Sequence, residues 1–503
     1  MPFSLADIKV VPAGAERPQA PTVARPLKVA FSFYAPEGAQ LSMPLAVFNG
    51  LLRRHAPHCR IDLLSINKTL PAEQCSLQWF RDEIARLQPD LLAVSCMSPH
   101  WRHMRAYLEV AKAASPRTVV LVGGYQAILS PEETIAHPAV DLICVGDGEQ
   151  ALLDLVNCLQ HDAATQAARS TAIAGLWEKR ADGSVLKGER VLSEDLNAYP
   201  FPDYSIFERN GSLRGLGISV FGPQDKFILP VMTGRGCPYK CTYCSNTPLL
   251  DMYKGGEGSY IRKYDADALV DELVALRDRY QVEYFEFWDE LFMVNVRYSL
   301  DFFERYRQRV GLPFSINARV ERMDEDFCRA AREAGCHTIW FGIESGSEPY
   351  RTERLGRKMH NADVLRAAQH AKQFGIRRLT FNIVGMPYET LADAEQTLAL
   401  NQAIAPEFFY FFIYIPLEGT PLYSVAEKGD LLIAKDEVSS DYLEGLRSNT
   451  FRSNLRQHPG GMSSEEFNAV CVRMATFQRE NNRLDFNVAQ PPPAREQYPQ
   501  LTP

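Results

Sequence analysis

Apolar residues recur along this chain in two rhythms. Continuous runs of five to eight, closed by Gly, Pro, Asp or Asn, read as buried strands, and runs with apolar residues every third or fourth position read as helices. In the first third, strands are expected at residues 27–33, 60–65, 90–95, 118–122 and 141–145. Helical spacing fills the gaps: 44–54 (Leu45, Val47, Phe48, Leu51, Leu52), 77–87 (Phe80, Ile84, Leu87) and 102–114. Strands alternating with helices predict a Rossmann-like, doubly wound parallel sheet. Gly123, Gly124, Gly146 and Gly148 stand just after the fourth and fifth strands. A ligand pressed against the carboxyl edge would account for them, and so would a tight turn.

The rhythm restarts at residue 226. Strands are expected at 227–232, 283–289, 313–319, 338–346, 378–387 and 407–414, with an amphipathic helix at 265–280. Six such strands suit a partial (β/α)6 barrel of TIM type, whose strand ends carry the chemistry. The aromatic run from Phe408 to Phe412 reads as a buried last strand rather than a stacking platform. The expected divisions are an extended Pro-rich leader (1–26), the Rossmann-like domain (27–165) and a linker with a hairpin at Asp182-Gly183 (166–225). The barrel (226–425) follows, then a C-terminal cap region (426–489) whose helix at 464–479 can cover the open side of the barrel, and a Pro-rich tail (490–503).

Composition narrows the class. With 503 residues, 46% hydrophobic and 23% charged, the chain is globular and too long for one core. A net charge of −8 argues against a general nucleic-acid footprint. No apolar run approaches the about 18 residues of a membrane span, and the N-terminus lacks a secretory pattern. Of the 11 cysteines, eight are scattered singly, which is no disulfide framework. A cytoplasmic location is expected.

The other three, Cys237, Cys241 and Cys244, follow the strand at 227–232 with C-x3-C-x2-C spacing. Close loop spacing suits an iron–sulfur cluster, and three thiolates leave one iron of a [4Fe–4S] cube open to a substrate. Zinc also takes clustered cysteines, but no second knuckle is near; the closest histidines are His161 and His337.

The stretch 234–246 resembles the signature of the radical S-adenosylmethionine (SAM) enzymes, and the order of elements ahead of it resembles the cobalamin (B12)-binding domain that precedes many of them. The resemblance covers residues 28–425 and implies a [4Fe–4S] cluster on Cys237, Cys241 and Cys244. It also implies SAM bound at the open iron and cleaved to a 5′-deoxyadenosyl radical, with Tyr243 beside the adenine. Arg319 matches a residue that pairs with the SAM carboxylate, Glu344-Ser345-Gly346 one that contacts ribose and amino acid, and Gly385 one in the adenine turn. Asp289 stands where the SAM amino group is held. Ser95, Gly123, Gly124, Gly146, Gly148 and Glu149 match loops that pack on cobalamin. No histidine lies in a D-x-H-x-x-G pattern, so no cobalt-ligating histidine of that type is expected.

The resemblance implies methylation of an unactivated carbon or phosphorus centre via methylcobalamin. Radical rearrangement or oxidative cyclisation, with or without cobalamin, is the nearest alternative, and a non-enzymatic iron–sulfur sensor the most distant. The substrate would be a small molecule or peptide, and an electron donor such as flavodoxin or ferredoxin would be needed. No proton-handling catalytic residue is identified.

Overall fold

The computed structural model describes residues 8–11, 25–35, 41–67, 72–161, 172–193, 195–208, 213, 221–223, 226–254, 259–439 and 442–482. The Pro-rich tail from residue 490, most of the leader and part of the linker lie outside them. The chain divides into two compact units: Met1–Ile218 with Asp251–Arg262, and Ser219–Leu250 with Lys263–Pro503.

In the first unit β1 (Ile8–Val11) is followed by β2 (Lys28–Ala35), β3 (Arg60–Asn67), β4 (Leu91–Ser95), β5 (Val119–Gly123) and β6 (Leu142–Cys144). The last five are the expected strands, all parallel, in the spatial order β3-β2-β4-β5-β6. The order turns back between β2 and β4, the switch point where doubly wound sheets bind ligands at their carboxyl edge. Helices Met43–His55, Leu77–Leu87 and Trp101–Ala114 occupy the expected places, and the second is capped by Ser76, whose hydroxyl accepts the Trp79 amide. Phe80, Ile84, Met104 and Leu108 bury against Val94, Val120 and Val122 of the sheet.

Three features depart from the expected divisions. The hairpin around Asp182-Gly183, β7 (Leu176–Lys179) and β8 (Val185–Lys187), is not a free linker; it extends the sheet antiparallel from β6. Within the leader, β1 pairs in parallel with β9 (Arg190–Ser193), so order begins before residue 27. Residues 251–262, expected in the barrel, belong to the first unit. Buried Arg262 holds them there, its Nη1 2.5 Å from both Asp147 Oδ2 and the Ser193 carbonyl.

The second unit is one six-stranded parallel sheet in sequential order: β10 (Ile228–Val231), β11 (Tyr284–Phe287), β12 (Phe314–Ala318), β13 (Cys336–Glu344), β14 (Arg377–Val384) and β15 (Phe408–Ile413). Sequential parallel strands joined by helices curl into a half-barrel. The aromatic run of β15 alternates as a strand must. Phe409 and Phe411 pack outward on Phe467, Val470 and Met474 of the helix Ser464–Asn481, while Phe408 and Tyr410 join Trp340 and Leu379 on the other face. The C-terminal helix thus lies on the outer face of β15. At the edge of β15 the Asn482 side chain accepts the Phe409 amide (2.7 Å) and donates to its carbonyl (3.2 Å).

Candidate active site around the three-cysteine loop

The loop leaves β10 under tight restraint. The Thr233 amide and hydroxyl donate to Asp289 Oδ2 (2.9 Å) and Oδ1 (2.5 Å), and Lys263 Nζ donates to Asp289 Oδ1 (2.9 Å) and Thr233 Oγ1 (2.6 Å). Asp289 is 1% exposed, and both its oxygens are taken up in anchoring the loop. The expected contact with the SAM amino group would fall to a carboxylate that already accepts three bonds from the loop and Lys263. The neighbouring Glu290 accepts the Gly236 amide at 3.1 Å, where Gly236 turns with φ +96°. Burial pushes the Glu290 carboxyl above its ordinary range.

Beyond Gly236, Cys241 is buried and Cys237 and Cys244 are half-buried. The Cys241 carbonyl accepts the Cys244 amide and the Thr247 hydroxyl, and Thr242 is tied to the carbonyls of Arg354 and Leu355. Burial pushes the Cys237 thiol up to about 11 and raises Cys244 as well. Thiols so placed become thiolates only when positive charge is supplied, as by iron. Among the described residues, no three His, Cys, Asp or Glu side chains converge closely enough to hold a single metal ion.

Two guanidinium groups supply charge from the protein side. Arg319, ending β12, and Arg357 each place Nη1 3.8 Å from Cys241 Sγ. Arg319 also stacks on the Tyr239 ring (3.8 Å) and pairs with Glu321 (2.5 Å). Against burial, that pairing holds the Glu321 carboxyl below its ordinary value. Arg357 donates to the Gly342 carbonyl (2.5 Å) and Tyr243 Oη (3.2 Å) and lies 3.7 Å from Glu344 Oε1. Burial opposes its charge, but Tyr243, Glu344 and Cys241 together hold its pKa raised. Glu344 is pushed up by burial against the pull of Arg357. The Arg357 Nε–H has no partner among the described residues. A buried donor left open beside three cysteines fits an anionic ligand such as a SAM carboxylate on a cluster.

Glu344 sits at a break in β13. Its φ is +66°, and the pairing with β14 slips between Gly342 and Glu344. A non-glycine residue in that region stores strain, which proteins keep at functional sites. The loop after it is over-determined: buried Arg351 donates to the carbonyls of Ser345 (2.6 Å) and Met359 (2.7 Å). Gly346 is forced by space, since a Cβ there would stand 2.2 Å from the Gln396 carbonyl. Gly385 ends β14 with φ +80°. Its amide and that of Met386 donate to Glu389 Oε2, while Glu389 Oε1 has no partner among the described residues. Burial pushes Glu389 up to about 8. Met386 clusters with Tyr350, Leu355 and Tyr414, and half-buried Tyr243 packs against them. The structure therefore brings together Cys241, Tyr243, Arg319 and Glu344, with Ser345 and Gly346 continuing from Glu344. Gly385 adjoins Met386, a member of the cluster against which Tyr243 packs.

In the first unit, Ser95, Gly123 and Cys144 end neighbouring strands at the carboxyl edge. Two of the glycines expected to cradle a ligand are also required by the protein's own packing. A Cβ on Gly124 (φ +86°) would meet the Cys96 carbonyl at 2.7 Å, and one on Gly148 the Phe48 ring at 2.8 Å. Gly146 has φ +122° and supplies the turn, and Glu149 is buried at the start of helix Glu149–His161. The better mark of a ligand is Ser98 on the loop after β4. Its hydroxyl is buried with no partner among the described residues, and the adjacent Met97 is 48% exposed. An orphaned hydroxyl beside an exposed thioether at the switch point fits a large, mixed-polarity ligand such as cobalamin.

Sequence reading did not find Arg357, Lys263, Glu290, Glu389 or Ser98. Glu290 and Glu389 had a signal, each being an acid one to four residues past an assigned position. Arg357 had none, standing among Arg351, Arg354 and Lys358 in one basic stretch.

Both units have counterparts among known proteins. Residues 231–400 match the radical SAM superfamily, and residues 44–156 match the B12 binding domain. An uncharacterised methyltransferase of Pyrococcus horikoshii is 27% identical over 70% of this chain and 72% of its own. An anaerobic magnesium-protoporphyrin IX monomethyl ester cyclase of Rubrivivax gelatinosus is 26% identical over 70% of this chain, which spans only 60% of that protein. Among solved structures, the radical SAM methyltransferase TsrM of Kitasatospora setae shares the fold, with a TM-score of 0.60, 14% identity and coverage of 80% of this chain and 76% of that one.

Proposed function

The chain belongs to the radical SAM enzymes that carry a B12-binding domain, and from that premise we propose that it is a cobalamin-dependent methyltransferase acting on an unactivated carbon or phosphorus centre. The observation that carries the reading is the pairing, in one chain, of a B12-binding domain with a three-cysteine loop flanked by two cations. When bound, the cluster supplies the electron that splits SAM and cobalamin carries the methyl group.

The chain's own residues have definable tasks. Cys237, Cys241 and Cys244 would hold the iron. Arg319 and Arg357 oppose the negative charge that gathers on Cys241, in a buried setting where such charge is weakly screened. Arg357, with its free Nε–H, is the first candidate for the SAM carboxylate. Glu344, fixed in a strained turn and drawn toward Arg357, would accept from ribose hydroxyls or an ammonium. Lys263, Thr233 and Asp289 keep the loop from moving as its charge changes. Ser98 and Met97 would face cobalamin.

Oxidative cyclisation is the second reading, favoured by the likeness to the cyclase. The test is anaerobic reconstitution with iron, sulfide and hydroxocobalamin, followed by metal analysis. About one cobalt per chain is expected, with iron that Cys241→Ala loses and cobalt that it keeps. Iron without cobalt would remove methyl transfer, and no iron in the wild type would remove radical chemistry altogether.

A further inference from the structure

The inner face of the half-barrel carries information about the substrate that the cofactor residues do not. Paired residues on neighbouring strands point to the same side. Asn317 pairs with Trp340, Phe381 with Tyr410 and Ile383 with Phe412, so these six share one face. It is the inner face, because Phe409 and Phe411, in alternate positions, pack outward on the C-terminal helix. Trp288 follows Phe287, which packs outward on Phe302 and Phe314, so Trp288 also turns inward, its Nε1 donating to Glu286 Oε2 at 3.0 Å.

Midway down the strands this interior is closed. Phe221 stands edge-on to Trp340, Phe381 and Tyr410 at centroid distances of 5.7, 5.3 and 5.0 Å. Above that floor, toward the strand ends that bear Arg319 and Glu344, several inward side chains are less covered than their outward neighbours. Trp288, Asn317, Phe381, Ile383 and Phe412 are only half-buried, while their outward neighbours Phe287, Val384, Phe409 and Phe411 are fully buried. These half-buried positions are aromatic or aliphatic except for the neutral amide of Asn317, whose Nδ2 is bound to the Asp289 carbonyl.

Charge is accounted for as well. Glu286 is wholly buried against Trp288, Arg319 is engaged by Glu321 and Tyr239, and Glu344 faces Arg357. With the open Nε–H of Arg357 assigned to the SAM carboxylate, a phosphate or carboxylate entering here would meet no further cation among these inward residues, and its desolvation would go unrepaid. A flat apolar ring would gain stacking and edge contacts on every side.

We propose that the part of the substrate that enters this barrel is a planar, uncharged aromatic or heteroaromatic ring system, held between Phe381, Phe412 and Trp288. The inference rests on the radical SAM reading above, and the test keeps the two apart. The full-length protein, reconstituted anaerobically with its cluster and saturated with SAM, is titrated with indole and, in parallel, with phosphonoacetate. Tryptophan fluorescence and equilibrium dialysis follow binding, and iron content and reductive formation of 5′-deoxyadenosine are measured on the same samples. Saturable indole binding without phosphonoacetate binding is expected. Phe412→Ala and Phe381→Leu should each weaken indole about threefold or more, and Trp288→Leu replaces whichever variant fails to retain iron.

Three results would overturn the proposal while leaving the function standing: no indole binding by a protein that holds iron and cleaves SAM, preferential binding of phosphonoacetate, or unchanged indole affinity in iron-replete variants. Absence of both iron and SAM cleavage in the wild type would remove the function and this inference with it.

Discussion

Arg357 is the residue on which the site's electrostatics turn. It is buried, touches Tyr243 and Cys241, and pairs with the Glu344 carboxylate. Arg357→Met removes that charge and leaves buried Glu344 without its ion-pair partner. A loss of about 3–5 kcal/mol is expected, seen as a lower melting temperature, and Glu344→Gln added to Arg357→Met should recover much of it. Glu389 gives a prediction in pH. Its folded pKa is raised from the ordinary 4.5 to about 8. Between those values the unfolded chain releases a proton that the folded one keeps, so this carboxyl lowers stability as pH rises from about 4.5 to 8. Above about 8 its effect levels off. Glu389→Gln, which keeps an acceptor for the Gly385 amide, should flatten the fall in melting temperature across that window; a curve parallel to the wild type would refute the assignment. At this scale the cysteines were legible because their spacing is rare and local. The anchoring of the loop by Asp289 was not, because sequence does not show that Lys263, 26 positions away, bonds to its oxygen.

Among the elements, the loop between β10 and the cysteines depends on Asp289 as a clamp. Asp289→Asn breaks the ion pair with Lys263 and weakens the Thr233 hydroxyl contact. Iron retained after reconstitution is expected to fall severalfold, with far less effect from Asp301→Asn on an exposed helix face. The turn after β13 tolerates no Cβ. Gly346→Ala, 2.2 Å from the Gln396 carbonyl, should cost at least about 1–3 kcal/mol, measured by chemical denaturation. Every strand of the two parallel sheets was legible, because parallel strands buried on both faces are continuous apolar runs, whereas helices such as Val296–Arg309, Asn361–Gln373 and Leu391–Ile404 between the barrel strands were not placed from sequence. The role of β7 and β8 was not. A two-stranded hairpin reads alike whether free or paired, and what recruits it is β6, whose edge the sequence does not reveal. The cap helix was legible as a helix, but not its side of the sheet, since Phe409 and Phe411 alternate with equally aromatic Phe408 and Tyr410.

For the molecule as a whole, the order of its two sheets was legible and one boundary was not. Residues 251–262 run on directly from the cysteine loop, yet the Arg262–Asp147 pair enrols them in the first unit. A buried pair formed across 115 positions leaves no mark in local pattern. The central claim joins two cofactor chemistries in one chain, and the fate of SAM tests it most directly. The reconstituted, cobalamin-loaded protein is given SAM and a low-potential reductant, and S-adenosylhomocysteine and 5′-deoxyadenosine are quantified. A methyltransferase of this kind uses SAM both as methyl donor and as radical source, so both products are expected, the first requiring cobalamin and the second requiring Cys241. Formation of 5′-deoxyadenosine with no S-adenosylhomocysteine, in protein that holds cobalt, would contradict methyl transfer and leave cyclisation or rearrangement as the reaction.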